Sequence, residues 1–295
     1  MKIRIYSMVA LLGVVCSVPT WAICPITGDS NVQLQILGSG GPNDSGGRAS
    51  SSYVLWVDGV GRILVDAGSG TKVPFHTSGA NFNDIDLVAL SHFHPDHSAE
   101  LPALLWTSGG DFRISGPSAS EQFPSLDSFL ESLFGEGGAF NIVSGRLNLD
   151  PITVDVSSNA TTEIWRDGDI LVQGRSVPHG TVPAVGYRVD VGDYSIAFTS
   201  DQNGSDPSFS EFAKDVNVMV IHMTASEDST GGTALLHAKP SVWGQMAAAA
   251  NAGHVVVSHI STGSPQVLNA NLAVLRDNYS GSVTVAEDLT CVEVI

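Results

Sequence analysis

The sequence predicts one α/β domain with two sheets and outer helices. Three observations carry that reading. Short apolar runs recur along the chain and several end in a polar residue, as buried strands do. Helical stretches are fewer and lie between those runs. No internal repeat, coiled coil or linker divides the 295 residues, a length that suits one large domain with a substantial core.

The strands come in order along the chain. Residues 32–37 (VQLQIL) alternate and then meet Gly38-Ser39-Gly40-Gly41. Residues 52–57 are followed by 62–65, which end at Asp66-Ala67-Gly68. Residues 86–90 end at Ser91-His92, and residues 170–177 lead to Pro178-His179. Residues 194–199, 216–221 and 255–257 end at Ser200-Asp201, His222 and Ser258-His259. Residues 282–286 and 290–294 close the chain. The spacing predicts helices over 98–106, 125–134, 240–252 and 268–278, with Pro240 suited to a first turn.

The chain carries 13 Lys and Arg against 30 Asp and Glu, a formal charge of −17. Such acidity repels phosphate polymers and argues against a nucleic-acid polymer as partner. A small anion is not excluded, because a bound metal reverses the local field. Residues 1–22 read as a secretory signal: Lys2 and Arg4 lead an apolar run over 8–15, and Ala22 is a small residue at the cleavage point. The run is too short to span a bilayer, so no stable membrane anchor is expected after cleavage. The mature domain, residues 23–295, would be periplasmic or secreted. It retains Cys24 and Cys291 near its two ends, and an oxidising compartment favours a disulfide between them.

The chemistry concentrates in Ser91-His92-Phe93-His94-Pro95-Asp96-His97. His92 and His94 are two apart, so an extended segment points both the same way. Asp96 and His97 follow a turn and face a second point. Imidazole and carboxylate are ligands for Zn²⁺ and its neighbours, and a catalytic site keeps one position open for water.

This stretch resembles the first motif of the metallo-β-lactamase superfamily, His-x-His-x-Asp-His. The resemblance continues in order through the mature chain. Asp66-Ala67-Gly68 is similar to the family's strand-end Asp, His179 to its third His, Asp201 to its metal-bridging Asp and His259 to its last His. The resemblance implies an αββα sandwich, with two mixed sheets and outer helices. It also implies two zinc ions per chain, replaceable by Mn²⁺ or Fe²⁺. His92, His94 and His179 would hold one ion, Asp96, His97 and His259 the other, and Asp201 would be shared together with a hydroxide.

A shared Asp201 favours the hydrolase branches over true β-lactamases. Gly38-Ser39-Gly40-Gly41-Pro42 with Arg48 and Ser51-Ser52-Tyr53, then Leu101-Pro102, Gly186-Tyr187-Arg188 and Val220-Ile221-His222, resemble the ribonuclease Z and arylsulfatase-like branch. That resemblance makes His237 the catalytic His that protonates the leaving group, with Asp96 as the other candidate catalytic residue. Two departures tell against transfer-RNA processing. His179 and Asp201 are 22 residues apart, too close for the family's long arm. Met223 stands where the family has a Glu that orients the catalytic His, so His237 is either less firmly held or oriented by another carboxylate such as Glu227 or Asp228.

Other residues have two readings each. His222 is a packed strand-end His or a pocket residue. His76 and His254 read as surface. Trp106, Phe134 and Phe140, around Gly135 to Gly138, are a pocket wall or core. Residues 226–232 read as a flexible loop or a lid.

The expectation is an exported binuclear-zinc metallohydrolase acting on a small anionic ester. Its substrate would be a phosphodiester, cyclic nucleotides included, or a sulfate ester, cleaved by a metal-bridging hydroxide. The alternatives are a lactonase or other carboxylic-ester hydrolase, and a non-catalytic metal-binding protein on the same fold. The sequence leaves a homodimer open.

Overall fold

The computed structural model describes residues 24, 30–43 and 46–295. The signal expected over residues 1–22 lies outside the described residues. The chain begins with β1 (Val32–Gly38), β2 (Ser52–Val57), β3 (Val60–Val65), α1 (Lys72–Thr77), β4 (Leu87–Ala89), α2 (Pro95–Ser98) and α3 (Leu101–Leu105). It continues through β5 (Gly110–Pro117), α4 (Leu126–Phe134), β6 (Leu147–Val154), β7 (Thr162–Asp167), β8 (Ile170–His179), β9 (Val182–Val191) and β10 (Tyr194–Phe198). Then come α5 (Phe209–Phe212), β11 (Val218–His222), α6 (Gly231–Leu236), α7 (Pro240–Ala249), β12 (His254–Ser258), α8 (Pro265–Asn278), β13 (Ser282–Val285) and β14 (Cys291–Glu293).

Two seven-stranded sheets form, in the orders β14-β1-β2-β3-β4-β5-β6 and β13-β12-β11-β10-β9-β8-β7. Strand alternation gives each sheet two apolar faces. Leu34, Ile36, Tyr53 and Leu55 of the first sheet meet Val189, Phe198, Val220 and Val256 of the second in one central core. On the first sheet's outer face, Val54, Trp56 and Leu64 pack with Phe75, Leu101 and Leu126 of α1, α3 and α4. On the second sheet's outer face, Met219, Ile221 and Val257 pack with Phe209, Trp243 and Leu272 of α5, α7 and α8. The layers are therefore helix, sheet, sheet, helix, as expected. Leu55 is fully buried in the central layer, and trimming such a residue to Ala typically costs about 2–5 kcal/mol.

Some elements differ from expectation. The helix expected over 98–106 is two short helices, because Pro102 in the first turn of α3 has no N–H to continue α2. α8 starts earlier, at Pro265, with Ser264 accepting from the Val267 N–H. Strands β5, β6, β7 and β9 carried no expectation. β6 and β7 are half-exposed sheet edges; Pro151 breaks the alternation of β6, and Pro183 and Gly186 interrupt that of β9.

Strand direction positions the site. β10, β11 and β12 are parallel. β8 points the same way, because it is antiparallel to β9, which is antiparallel to β10. β3 and β4 are parallel in the other sheet. Their carboxyl ends deliver Asp66, Ser91, His179, Asp201, His222 and His259, at the edge where open α/β sheets place ligands. Cys24 and Cys291 form a disulfide with Cα atoms 5.6 Å apart, tying the start of the described chain to β14. Closing a loop this long contributes on the order of 4–5 kcal/mol through chain entropy.

Candidate metal centre

At the site, the strand ends at Asp66, Ser200 and His259 carry a left-handed residue other than glycine, with φ of 57°, 58° and 51°. Each such residue costs on the order of 1 kcal/mol, and here each turns the chain sharply off its strand. Two glycines make room for the turns. A Cβ on Gly68 would overlap the Asp96 carbonyl, and one on Gly41 would overlap the His259 ring.

On one side of the centre, His92 Nε2 lies 3.0 Å from His94 Nδ1. The His179 ring packs against both, with centroids 4.9 and 5.4 Å away. On the other side, the Nε2 atoms of His97 and His259 are 3.1 Å apart. Asp96 Oδ2 lies 3.2 Å from His259 Nε2 and 3.6 Å from His97 Nε2. Asp201 stands between the two groups. Its Oδ1 is 3.4 Å from His259 Nε2, and its Oδ2 is 3.6 Å from His97 Nε2 and 3.8 Å from His179 Nε2.

The outward nitrogens are tied down. His97 Nδ1 is 2.7 Å from Asp66, His92 Nδ1 is 3.1 Å from the Ser91 hydroxyl and His259 Nδ1 is 2.6 Å from the Thr224 hydroxyl. His179 Nδ1 donates to the Leu236 carbonyl at 2.8 Å. Ser91 in turn donates its N–H and hydroxyl to Asp66. Such partners fix the ring angle and the tautomer of metal-binding imidazoles.

The residues fit divalent cations. Among the described residues, His179 Nε2 and His237 Nδ1 are buried with no hydrogen-bond partner. Two imidazole lone pairs 3.1 Å apart, as at His97 and His259, repel unless a proton or cation lies between them. Among the described residues, three sets of donors lie close enough to hold an ion: His92, His94 and His179; His97, Asp201, His222 and His259; and His179, Asp201 and His237. Imidazole and carboxylate suit Zn²⁺, Mn²⁺ or Fe²⁺.

Electrostatics sort the groups. Burial lowers the pKa of His92, His94 and His179, leaving them in the neutral form that binds metal. Burial pushes His97 the same way, but Asp66 and Asp201 outweigh it and raise its pKa well above the ordinary value. Burial would raise Asp201, yet His259 and His97 hold it well below the usual carboxylate range. Asp96 is likewise held at about 2, against burial, by its hydrogen bond to His259 and the charge of His97.

His222 is near enough to count among the donors, but both its nitrogens are engaged. Nδ1 is 2.8 Å from Asp201 Oδ1 and Nε2 is 3.1 Å from the Tyr53 hydroxyl. It is a packed strand-end His that holds Asp201 from behind. Burial lowers its pKa to about 4. His237 follows α6 directly, 8% exposed, with Nδ1 3.6 Å from Asp201 Oδ2. Burial lowers its pKa too, to about 4, against the opposing pull of Asp201.

Of the two readings of His237, the structure fits the less firmly held one: among the described residues its Nδ1 has no hydrogen-bond partner. Glu227 accepts from the Ser241 N–H and hydroxyl at 3.0 and 2.7 Å, in the first turn of α7, and Asp228 is exposed. The segment expected as a loop over 226–232 is closed by a Ser226 N–H to Ser229 hydroxyl bond and runs into α6. His76 is exposed, and half-buried His254 lies 2.9 Å from the Thr284 hydroxyl. Trp106 and Phe140 are exposed; Phe134 lines a cavity of about 980 Å³ with the Gly135 to Gly138 run, away from the donors. A cavity of about 680 Å³ opens beside Asp96 and Arg48. Sequence reasoning missed Tyr53, Thr224 and the Leu236 carbonyl as supports. Ser91 could have been found from its place inside the motif.

A two-sheet sandwich with His and Asp gathered at its strand ends defines a protein of the metallo-β-lactamase fold. More specifically, the chain belongs to the beta-lactamase superfamily domain family, whose model matches residues 61–260. It is 30% identical over 162 residues to ribonuclease Z of Clostridium perfringens, covering 53% of this chain and 50% of the relative. In that alignment the chain spans about half the relative's length. It is 25% identical over 305 residues to ribonuclease Z of Thermobifida fusca, covering 90% and 95%. These relatives fit the ribonuclease Z branch. Among solved structures it resembles the metallo-beta-lactamase fold protein YhfI from Bacillus subtilis, at TM-score 0.71 and 19% identity over 89% of this chain and 98% of that one. This last likeness shows the fold.

Proposed function

We propose that the chain is a binuclear-zinc hydrolase of a small phosphodiester or sulfate ester. The observation that carries this reading is Asp201, whose carboxylate lies between two groups of donors. His92, His94 and His179 would hold one ion and Asp96, His97 and His259 the other, with Asp201 shared. When bound, the two ions would supply a hydroxide nucleophile at neutral pH and positive charge against the developing oxyanion. The chain's own residues do the rest. Asp66, Ser91, Thr224 and the Leu236 carbonyl keep the imidazoles aimed inward. The cavity beside Asp96 and Arg48 would offer the ester an approach to this edge of the site. His237 would pass a proton to the leaving oxygen in the substrate complex.

The ribonuclease Z relatives support phosphodiester chemistry. Their name also points towards RNA. Two features favour a small ester instead. The stretch between His179 and Asp201 is occupied by β9, β10 and tight turns, with no arm. The charge of −17 opposes a polyanion. We also read residues 1–22 as an export signal. The Cys24–Cys291 disulfide suits an oxidising compartment, and no described helix is long and apolar enough to cross a membrane.

The test is a panel of nitrophenyl phosphodiester, phosphomonoester and sulfate, a lactone, a β-lactam and a precursor transfer RNA, with metal content measured alongside. Turnover of the diester or sulfate, lost on chelation and restored by zinc, is the expected result. Turnover of the lactone or the RNA instead would replace this reading. Metal uptake with no turnover would make the chain a metal-binding protein.

A further inference from the structure

We propose that Tyr53 and His222 form a buried positioning relay that sets the orientation of the Asp201 carboxylate. The relay rests on the reading of Asp201 as a metal ligand. It crosses the central core: Tyr53 lies in β2 of the first sheet, while His222 and Ser258 end β11 and β12 of the second. Tyr53 and Ser258 are 0% exposed, His222 1% and Asp201 2%. The Tyr53 hydroxyl lies 3.1 Å from His222 Nε2 and 3.0 Å from Ser258 Oγ. His222 Nδ1 lies 2.8 Å from Asp201 Oδ1.

An ionised Asp201 only accepts, so His222 presents Nδ1–H to it. The Tyr53 hydroxyl donates to Ser258 Oγ, which turns its oxygen towards His222 Nε2. The ring is thereby held between the Tyr53 oxygen and the Asp201 carboxylate.

The His222 ring has little freedom to leave this arrangement. It stacks on His259 with centroids 4.8 Å apart and planes 8° apart. Its backbone carbonyl accepts from Trp243 Nε1 at 3.1 Å. The relay therefore pins Oδ1 and leaves Oδ2 directed at His97, His179 and His237. Packing does not explain the Tyr53 hydroxyl. The ring lies against Phe198, with centroids 5.6 Å apart, and a Phe would fill the same volume.

The test compares Tyr53→Phe, His222→Gln and the double variant. Metal affinity is read by chelator competition with Co²⁺, whose absorption band also reports carboxylate geometry. Melting of the metal-free forms checks folding. The expected result is a folded Tyr53→Phe with a shifted Co²⁺ band and affinity lowered about tenfold, the low end for outer partners of ligands. In the His222→Gln background, Tyr53→Phe should add nothing, because its effect passes through His222. Wild-type affinity and an unshifted band in Tyr53→Phe would overturn the relay, and this single variant decides even if His222→Gln does not fold. Independent effects that simply add in the double variant would also overturn it. A wild-type chain that takes up no metal would instead sink the reading of the site.

Discussion

The two halves of the metal centre are built differently. The half on the first sheet is one short stretch after β4, in which His92, His94, Asp96 and His97 follow each other closely and lean on Asp66 and Ser91. The half on the second sheet takes His179, Asp201, His222 and His259 from the ends of four separate strands. Its geometry depends on the parallel register of β10, β11 and β12. A loop adjusts when one side chain changes, whereas strand ends move only with a close-packed sheet. Damage in the first half should therefore be local and graded. Damage at Asp201, which lies against both halves, should not be.

The largest effect is expected at Asp201. Asp201→Ala should reduce hydrolysis to the uncatalysed level and lower the metal content, measured by turnover and elemental analysis. Full activity in this variant would break the comparison outright. Next comes His237→Ala, which should slow esters with poor leaving groups by about 10²–10⁴-fold and largely spare nitrophenyl esters. A plot of rate against leaving-group pKa reads the difference, and equal losses on both classes would remove His237 as the proton donor.

A smaller, one-sided loss is expected at Asp66. Asp66→Asn should weaken metal binding about 10–100-fold at the ion near His97 while the ion near His92 stays. Loss of both ions together would break the expectation that damage in the first half stays local.

The smallest effect separates the halves by pH in the metal-free protein. His222 and His237 have folded pKa values of about 4, below the ordinary 6.5. The unfolded chain binds their protons more readily, so their contribution is present above 6.5 and lost as pH falls towards 4. The folded pKa of His97 is raised, so its contribution is present below 6.5 and lost as pH rises through the folded value. A melting series across pH should therefore show acid loss that His222→Gln or His237→Ala moderates and alkaline loss that Asp66→Asn moderates.

Much of the site was legible because the donors follow apolar runs. Asp201 and His259 each come directly after a strand that the residue pattern predicts, so their order along the chain already implied a common edge. His94 and His97 needed even less, since covalent neighbours cannot be far apart. His237 was found only through family resemblance, and which residue would orient it was left open; Glu227 turns out to bond Ser241 at the start of α7. The edge strand β7 carries little apolar signal, and the alternation that opens β6 is cut short by Pro151.

By itself, then, the amino-acid sequence determined the two-sheet class, the ligand types and their order, because burial and covalent proximity are local in the chain. Only the tertiary structure decided what holds each ligand. Tyr53 reaches His222 across 169 residues, and His259 meets His97 across 162. Thr224 and the Leu236 carbonyl found their imidazoles in the same way. Those pairings are made through space by two sheets closing on one core, and no spacing along the chain encodes a contact between strands of different sheets.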